Sequence, residues 1–278
     1  MRVILYSSQL AAFLGRNPHT NVSKVFNKLY EKYFMAKIRE CKMEKMIEER
    51  NVGDSGKIKK ISEKIGDVNL LKKIEDMSKR NMSTISLQKE RNDLLAEIGK
   101  GLDEEEKRDI KKAMEGFTNK SFGTDKEDNV VDVYKRKYGC EVITKIEMRR
   151  KKIVDMGGDE LWLVSKLDGM KMDGTIVEIK NRMYKLFGVV KEYEGIQVHA
   201  YMNVYGLDKA ELVEYLKVGK GTMVVHEIEK DVKYWEKLEG EMMRYFGCFL
   251  KIGNSKSLLK KYLCLDEKSQ DEFIANYC

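Results

Sequence analysis

Asp168, Glu178 and Lys180 are the side chains whose types and spacing carry the clearest chemistry in this sequence. They lie in the stretch V-S-K-L-D-G-M-K-M-D-G-T-I-V-E-I-K-N-R, residues 164–182. Thr175 to Lys180 is rich in β-branched residues and follows an Asp-Gly turn signal, so it reads as a strand. Alternation along a strand puts Glu178 and Lys180 on one face and Val177 and Ile179 on the other. A three-residue hairpin loop, Met172-Asp173-Gly174 with Gly174 left-handed, pairs Lys171 with Thr175. It then sets Asp168 opposite Glu178 on the same face. A two-residue loop would set Asp168 opposite Ile179, on the wrong face. With the longer loop, two carboxylates and an ammonium converge, a donor set suited to a hard, oxygen-seeking cation. The competing reading is an ordinary turn aspartate beside an exposed strand pair.

Several elements must hold this hairpin in place. Ser7 or Ser8 is expected to cap a short helix ended by Gly15, after the apolar run Val3-Ile4-Leu5. Val22, Val25, Phe26, Leu29, Tyr30 and Tyr33 predict an amphipathic helix that continues to about Glu49. Gly53–Gly56 reads as a loop. From 51 to 120 charge is dense and aromatics are scarce, which predicts a helical insertion. Its stripes are Ile58, Ile61, Ile65, Val68, Leu71 and Ile74, then Leu87, Leu94, Leu95 and Ile98. A third helix, Glu104 to Met114, follows a capping box of Asp103 and Glu106. Gly123 to Glu127 opens another helix, with Val130, Val131 and Tyr134 on one side. Strands are expected at Glu141–Arg150 and Leu161–Leu167, with a turn at Gly157-Gly158. Beyond the hairpin come a helix at Gly195–Tyr205, strands at Glu211–Leu216 and Met223–Glu229, and a helix at Asp231–Phe246. The tail reads as helical and peripheral.

The resulting class is α/β (α+β), divided as 1–50, an N-terminal helical part; 51–120, the insertion; 121–250, the core; and 251–278, the tail. The 278 residues carry 42% hydrophobic side chains, enough for a sizeable core, and 36% charged ones. No apolar run reaches the length of a membrane span, so no membrane partner is expected. Ser7, Ser8 and Gln9 interrupt the first apolar run, so the N-terminus reads as mature sequence. The five cysteines form no C-x-x-C pair, which points to reduced thiols and an intracellular setting. A net charge of +7 favours an anionic partner, nucleic acid first.

The order of short motifs narrows the reading. S-S-Q-L-A-A-F-L-G-R-N-P at residues 7–18 is followed by G-x-x-x-E ending at Glu127, then by Asp168 with Glu178-Ile179-Lys180. Gln197-Val-His-Ala-Tyr201 follows, and then the strand A-E-L-V-E-Y. This order resembles the PD-(D/E)XK nucleases, in particular the lambda-exonuclease and YqaJ-type viral recombinases, over residues 1–35 and about 121–250. The resemblance implies a restriction-endonuclease-like core, a mixed central sheet flanked by helices. It implies one or two Mg²⁺ (or Mn²⁺) ions held by Asp168, Glu178, the Ile179 carbonyl and Glu127, with Gln197 organising the site. Lys180 would orient or deprotonate the attacking water, or stabilise transition-state charge. Ser8, Arg2 and Arg16 resemble positions that approach the DNA end and its 5′ phosphate, with Ser7 competing for the place of Ser8. Tyr201, four residues from Gln197 on the same helical face, is either a DNA contact or core packing. Arg182 and Lys185 are candidates for phosphate contact.

The activity implied is exonucleolytic digestion of duplex DNA from free ends, in recombination or repair. The alternatives are an endonuclease, structure-specific or not, and a non-catalytic nucleic-acid-binding relative. The resemblance further implies a homo-oligomer, a single-strand annealing protein as partner, and a viral source acting in the cytoplasm or nucleus of a host cell.

Overall fold

A computed structural model of the chain describes residues 1–79, 84–124, 127–216 and 221–278, without the side chains of 79, 84, 85, 120–124, 127 and 128. Among the described residues eight strands form two sheets, and helices surround them. The larger sheet runs in the order β2 (Val142–Ile143), β5 (Gly169–Lys171), β6 (Ile176–Arg182), β7 (Lys209–Leu216), β8 (Thr222–Glu229). Only β6 and β7 in it pair in parallel, and α10 (Glu192–Tyr205) makes the crossover between them. The smaller sheet has the order β1 (Arg2–Tyr6), β4 (Asp159–Ser165), β3 (Arg149–Met156). The chain is thus mixed α/β.

The first half of β6, I-V-E-I, is buried on both faces, apolar except for Glu178, and its polar second half, K-N-R, is half-buried. Val177 and Ile179 join Val130, Val131, Tyr134 and Val213 in a core under α9 (Glu127–Tyr138). The opposite face, with Glu178, Lys180 and Arg182, looks toward α10. That helix touches both sheets and α1 (Ser7–Phe13), so it is apolar nearly all round: Ile196, Val198, Ala200, Met202 and Val204 are all buried.

The first apolar run forms β1, parallel to β4 over five residue pairs. Helix α1 starts at its end, with Tyr6 rather than Ser7 or Ser8 at the cap position. The predicted helix to Glu49 is broken into α2 (Val22–Tyr33), α3 (Met35–Glu40) and α4 (Glu44–Arg50), with Lys42 left-handed between the last two. The short pieces let Ile38 and Ile47 both turn inward. The Gly53–Gly56 stretch is not a loop. Gly53 is the cap of α5 (Asp54–Ile65).

Helices α5, α6 (Leu70–Lys79), α7 (Thr84–Ile98) and α8 (Glu104–Thr124) share a core that includes Ile58, Leu70, Ile74, Leu87, Ile98, Ile110 and Met114. Val68 is excluded from it and exposed. The capping box is present: Asp103 accepts from the N–H groups of Glu105 and Glu106, and Glu106 accepts from that of Asp103. Helix α8 continues well past Met114 and packs against β6. Of the G-x-x-x-E stretch, Asp125, Lys126 and the side chain of Glu127 lie outside the described residues.

The expected Glu141–Arg150 strand splits. Val142–Ile143 joins the large sheet, and β3 is a largely exposed strand of the small one, joined to β4 by Gly157 and Gly158 at positive φ. Helix α11 (Val232–Asn254) outruns its predicted end. Helices α12 (Lys256–Cys264) and α13 (Glu267–Tyr277) form the tail, but they are not peripheral. Leu259, Tyr262, Leu263 and Ile274 are fully buried in the main core.

Candidate active site

The hairpin between β5 and β6 has the register that places its acidic side chains together. Gly169 pairs with Val177 and Met170 with Ile176. The Lys171 N–H donates to the Thr175 carbonyl at 2.9 Å, and Gly174 turns the chain at φ 86°. The loop is therefore Met172-Asp173-Gly174. Asp173 stabilises it by accepting the Thr175 N–H at 2.9 Å. Continued one step, the register sets Asp168 across from Glu178. Gly169 is needed for a different reason: a Cβ there would stand 2.6 Å from Val142 Cγ1, because β2 passes so close.

Five side chains meet at the face toward α10. Lys180 Nζ donates to Glu178 Oε1 at 2.7 Å and to Gln197 Oε1 at 3.1 Å. Gln197 Nε2 donates to the same Glu178 Oε1 at 2.9 Å and also to the Tyr201 hydroxyl. Asp168 Oδ2 accepts the Ile179 N–H at 2.9 Å, so the carboxylate is tethered to the strand that carries its neighbour. Glu178 is 3% exposed, which rules out an exposed strand pair.

Burial pushes the Glu178 carboxyl up to about 8, against the pull of Lys180 and helped by the charge and hydrogen bonding of Asp168. Burial also works against the charge on Lys180, but attraction to Glu178, Asp168 and Glu194 outweighs it and holds the ammonium above its ordinary value. Two facing carboxyl groups, one buried and favouring a proton at neutral pH, are a donor set that a divalent cation can take over. Glu178 Oε2 is buried and meets no donor; a proton shared with Asp168, or a cation in its place, would satisfy it. Asp168 and Glu178 fit a hard cation on this ground. Among the described residues no group of three or more His, Cys, Asp or Glu side chains is placed to hold a metal. The side chain of Glu127, the further expected ligand, lies outside the described residues. The β5 ladder ends at Val177, so β5 makes no pair with Ile179, whose carbonyl was the remaining expected ligand.

The residues expected to meet DNA fare differently. Arg182 is not available for phosphate. Its guanidinium donates to both Glu194 oxygens at 2.8 and 2.9 Å and to Glu214 Oε1 at 2.6 Å, and it lies 4.0 Å over the Phe187 ring. Tyr201 is 5% exposed and serves as a partner of Gln197 in the core. Arg2 pairs with Glu160 at 3.3 Å and stacks on Trp162. It occupies the end of β1 away from Ser7, and four residues of strand separate the two ends by about 13 Å. Arg16 bridges Glu192 and Glu241, tying the end of α1 to α10 and α11. Ser7 is buried and hydrogen-bonded to Ser165, whereas Ser8 is exposed and lines a cleft of about 580 Å³ with Lys24, Lys28, Arg50 and Lys57. Lys185 is exposed.

Glu194 and Glu214 were missed by the sequence reading. Glu214 is fully buried and accepts from Arg182, His226 and the N–H groups of Phe187 (3.0 Å) and Gly188 (2.9 Å). Burial pushes its carboxyl up, but these donors more than reverse that and leave it below its ordinary value. A signal was present in A-E-L-V-E-Y. Glu211 and Glu214 are three apart and so face opposite sides of a strand that is apolar on both sides, which demands a buried partner for each. Glu211 finds its partners in Tyr134 and Lys171.

No family model and no curated protein matches the sequence. Similar solved structures include the alkaline exonuclease LHK-Exo of Laribacter hongkongensis in complex with dAMP. It is 16% identical with a TM-score of 0.40, over 65% of this chain and 87% of that one. A phage related exonuclease from Haemophilus somnus 129PT is 11% identical with a TM-score of 0.38, over 100% of this chain and 98% of that one. The structure of SSO0001 is 16% identical with a TM-score of 0.34, over 46% of this chain. The chain spans 57% of it, less than two thirds of its length.

Proposed function

We propose that the chain is a metal-dependent nuclease that degrades duplex DNA from its ends. The observation that carries this reading is that Lys180 and Gln197 hold Glu178 by Oε1, beside the tethered Asp168 carboxylate, and leave the buried Oε2 without a donor. Asp168 and Glu178 are the residues to hold Mg²⁺ or Mn²⁺, with Glu127 as a further ligand. When bound, the ion supplies charge neutralisation at the phosphate and a water of lowered pKa.

The chain's own contribution is orientation. Gln197 and Lys180 fix Glu178 Oε1, which leaves Oε2 as the oxygen that would be free to hold a cation. An ammonium has three donors and no acceptor. Lys180 spends two of them on Glu178 and Gln197, and the third is the one it can offer to the attacking water or to a phosphate oxygen. Its place between Glu178 and Gln197 keeps that donor at a fixed position, which lowers the ordering cost of the transition state. The basic balance of the chain, +7, suits a polyanionic substrate.

Linear duplex, covalently closed circular duplex and single-stranded DNA, each incubated with Mg²⁺, test the reading directly. Loss of linear duplex with the closed circle intact is the expected result. Cleavage of the closed circle overturns the exonuclease assignment, and no cleavage of any substrate overturns the nuclease assignment.

A further inference from the structure

The segment that leaves the site, Met183 to Gly188, is held at both ends and open in the middle. Met183 packs against the core of helices α5 to α8. Phe187 and Gly188 donate their N–H groups to Glu214, and the Phe187 ring lies beneath the Arg182 guanidinium. Between these anchors Tyr184 is 53% exposed, although it follows Lys180 by only four residues. From Arg182 to Lys191 the sequence carries three cationic residues and no carboxylate. Arg182 is consumed internally, but Lys185 next to Tyr184 is exposed.

A buried, fully hydrogen-bonded carboxylate spent on two loop N–H groups makes sense if the loop must keep one shape. A free loop would be cheaper to leave solvated, since burying a charge is costly unless it is compensated. What the pinned loop presents is an exposed phenol ring and, at the next residue, an exposed lysine. That pair matches a nucleotide, whose base offers a π face and whose phosphate offers the charge.

We infer that Tyr184 is a stacking platform for a nucleobase of the strand entering the site, with Lys185 on an adjacent phosphate and Glu214 as the residue that positions the loop. This rests on the nuclease reading and adds to it a specific contact with an unpaired or fraying base.

The test uses the full chain in chelator with an oligodeoxynucleotide carrying 2-aminopurine, whose fluorescence is quenched by stacking on an aromatic ring. The wild-type chain should quench it. Tyr184→Ala should lose the quench and about tenfold in affinity, in line with the loss of one base–aromatic contact. Tyr184→Phe should restore both, while Tyr184→Leu, similar in bulk but without a ring, should not. Equal quenching by wild type and Tyr184→Ala overturns the inference. Cleavage of unlabelled linear duplex with Mg²⁺ is followed in parallel. If the wild type cleaves but the quench does not depend on Tyr184, the stacking platform alone is wrong. If it neither cleaves nor binds, both readings fall. If it binds with a Tyr184-dependent quench but does not cleave, the nuclease reading alone is wrong.

Discussion

Asp168 Oδ2 accepts the backbone N–H of Ile179, the residue between Glu178 and Lys180, at 2.9 Å. One strand therefore carries two of the reactive side chains and also tethers the third. The geometry of the site depends on the register of a single hairpin.

Disturbing that hairpin should disturb the fold locally. Gly169→Ala forces a Cβ to within 2.6 Å of Val142 Cγ1. Overpacking of this kind costs about 1–3 kcal/mol. Chemical denaturation should show that loss, and adding Val142→Ala should recover a large part of it. Equal stability of Gly169→Ala and wild type would mean that β2 is not as close as it stands here.

Replacing Asp168, Glu178 or Lys180 by alanine should abolish Mg²⁺-dependent cleavage while the circular dichroism spectrum stays unchanged. Gln197→Ala should be milder, roughly 10- to 100-fold in rate, because it orients Glu178 and Lys180 rather than reacting. Retained activity in all of the first three would sink the assignment of the site.

The raised carboxyl of Glu178 has a consequence for stability against pH. The group favours its proton in the folded chain up to about 8, against 4.5 unfolded. Its contribution to stability is full below pH 4.5 and is lost as pH rises through about 8. In chelator, thermal unfolding should therefore occur at falling temperature across this window. Glu178→Gln, which cannot ionise, should flatten the trend. Saturating Mg²⁺ should flatten it too, since the cation takes the place of the proton. A slope unaffected by either change would contradict the buried, proton-favouring carboxyl.

Arg182 is expected to act on stability rather than on DNA affinity. Arg182→Ala leaves Glu194 and Glu214, both buried, without their main cation, and breaking such a pair costs about 3–5 kcal/mol. Arg182→Lys keeps the charge but loses the fork that meets both carboxylates, so an intermediate loss is expected. The salt dependence of DNA binding by Arg182→Lys should match that of wild type. A shallower slope would return Arg182 to the phosphate-binding surface.

The hairpin was legible because all of its determinants are local. Asp-Gly marks the turn, β-branched residues mark the strand, and loop length fixes which faces coincide. The capping box at Asp103 and Glu106 was legible for the same reason. The split of Glu141–Arg150 was not, because R-R-K-K is a poor strand signal; those residues form the largely exposed β3 by pairing with β4. The tail was misjudged because the sequence shows amphipathic helices but not the surface that receives them.

By itself the sequence determined which side chains can share a face: Asp168, Glu178 and Lys180 across one hairpin, and Gln197 with Tyr201 on one helix. It also determined the mixed α/β class, through the alternation of strand and helix periods. Only the tertiary structure decided which of the charged residues are spoken for. Arg182 and Arg16 each read as a cation near the chemistry, and each is held by carboxylates from other elements, whereas Arg2 stays largely exposed beside Glu160. Periodicity reports the direction of a side chain along its own element. Pairing energy depends on what lies a few ångströms away, and that is set when separate elements pack together and exclude water.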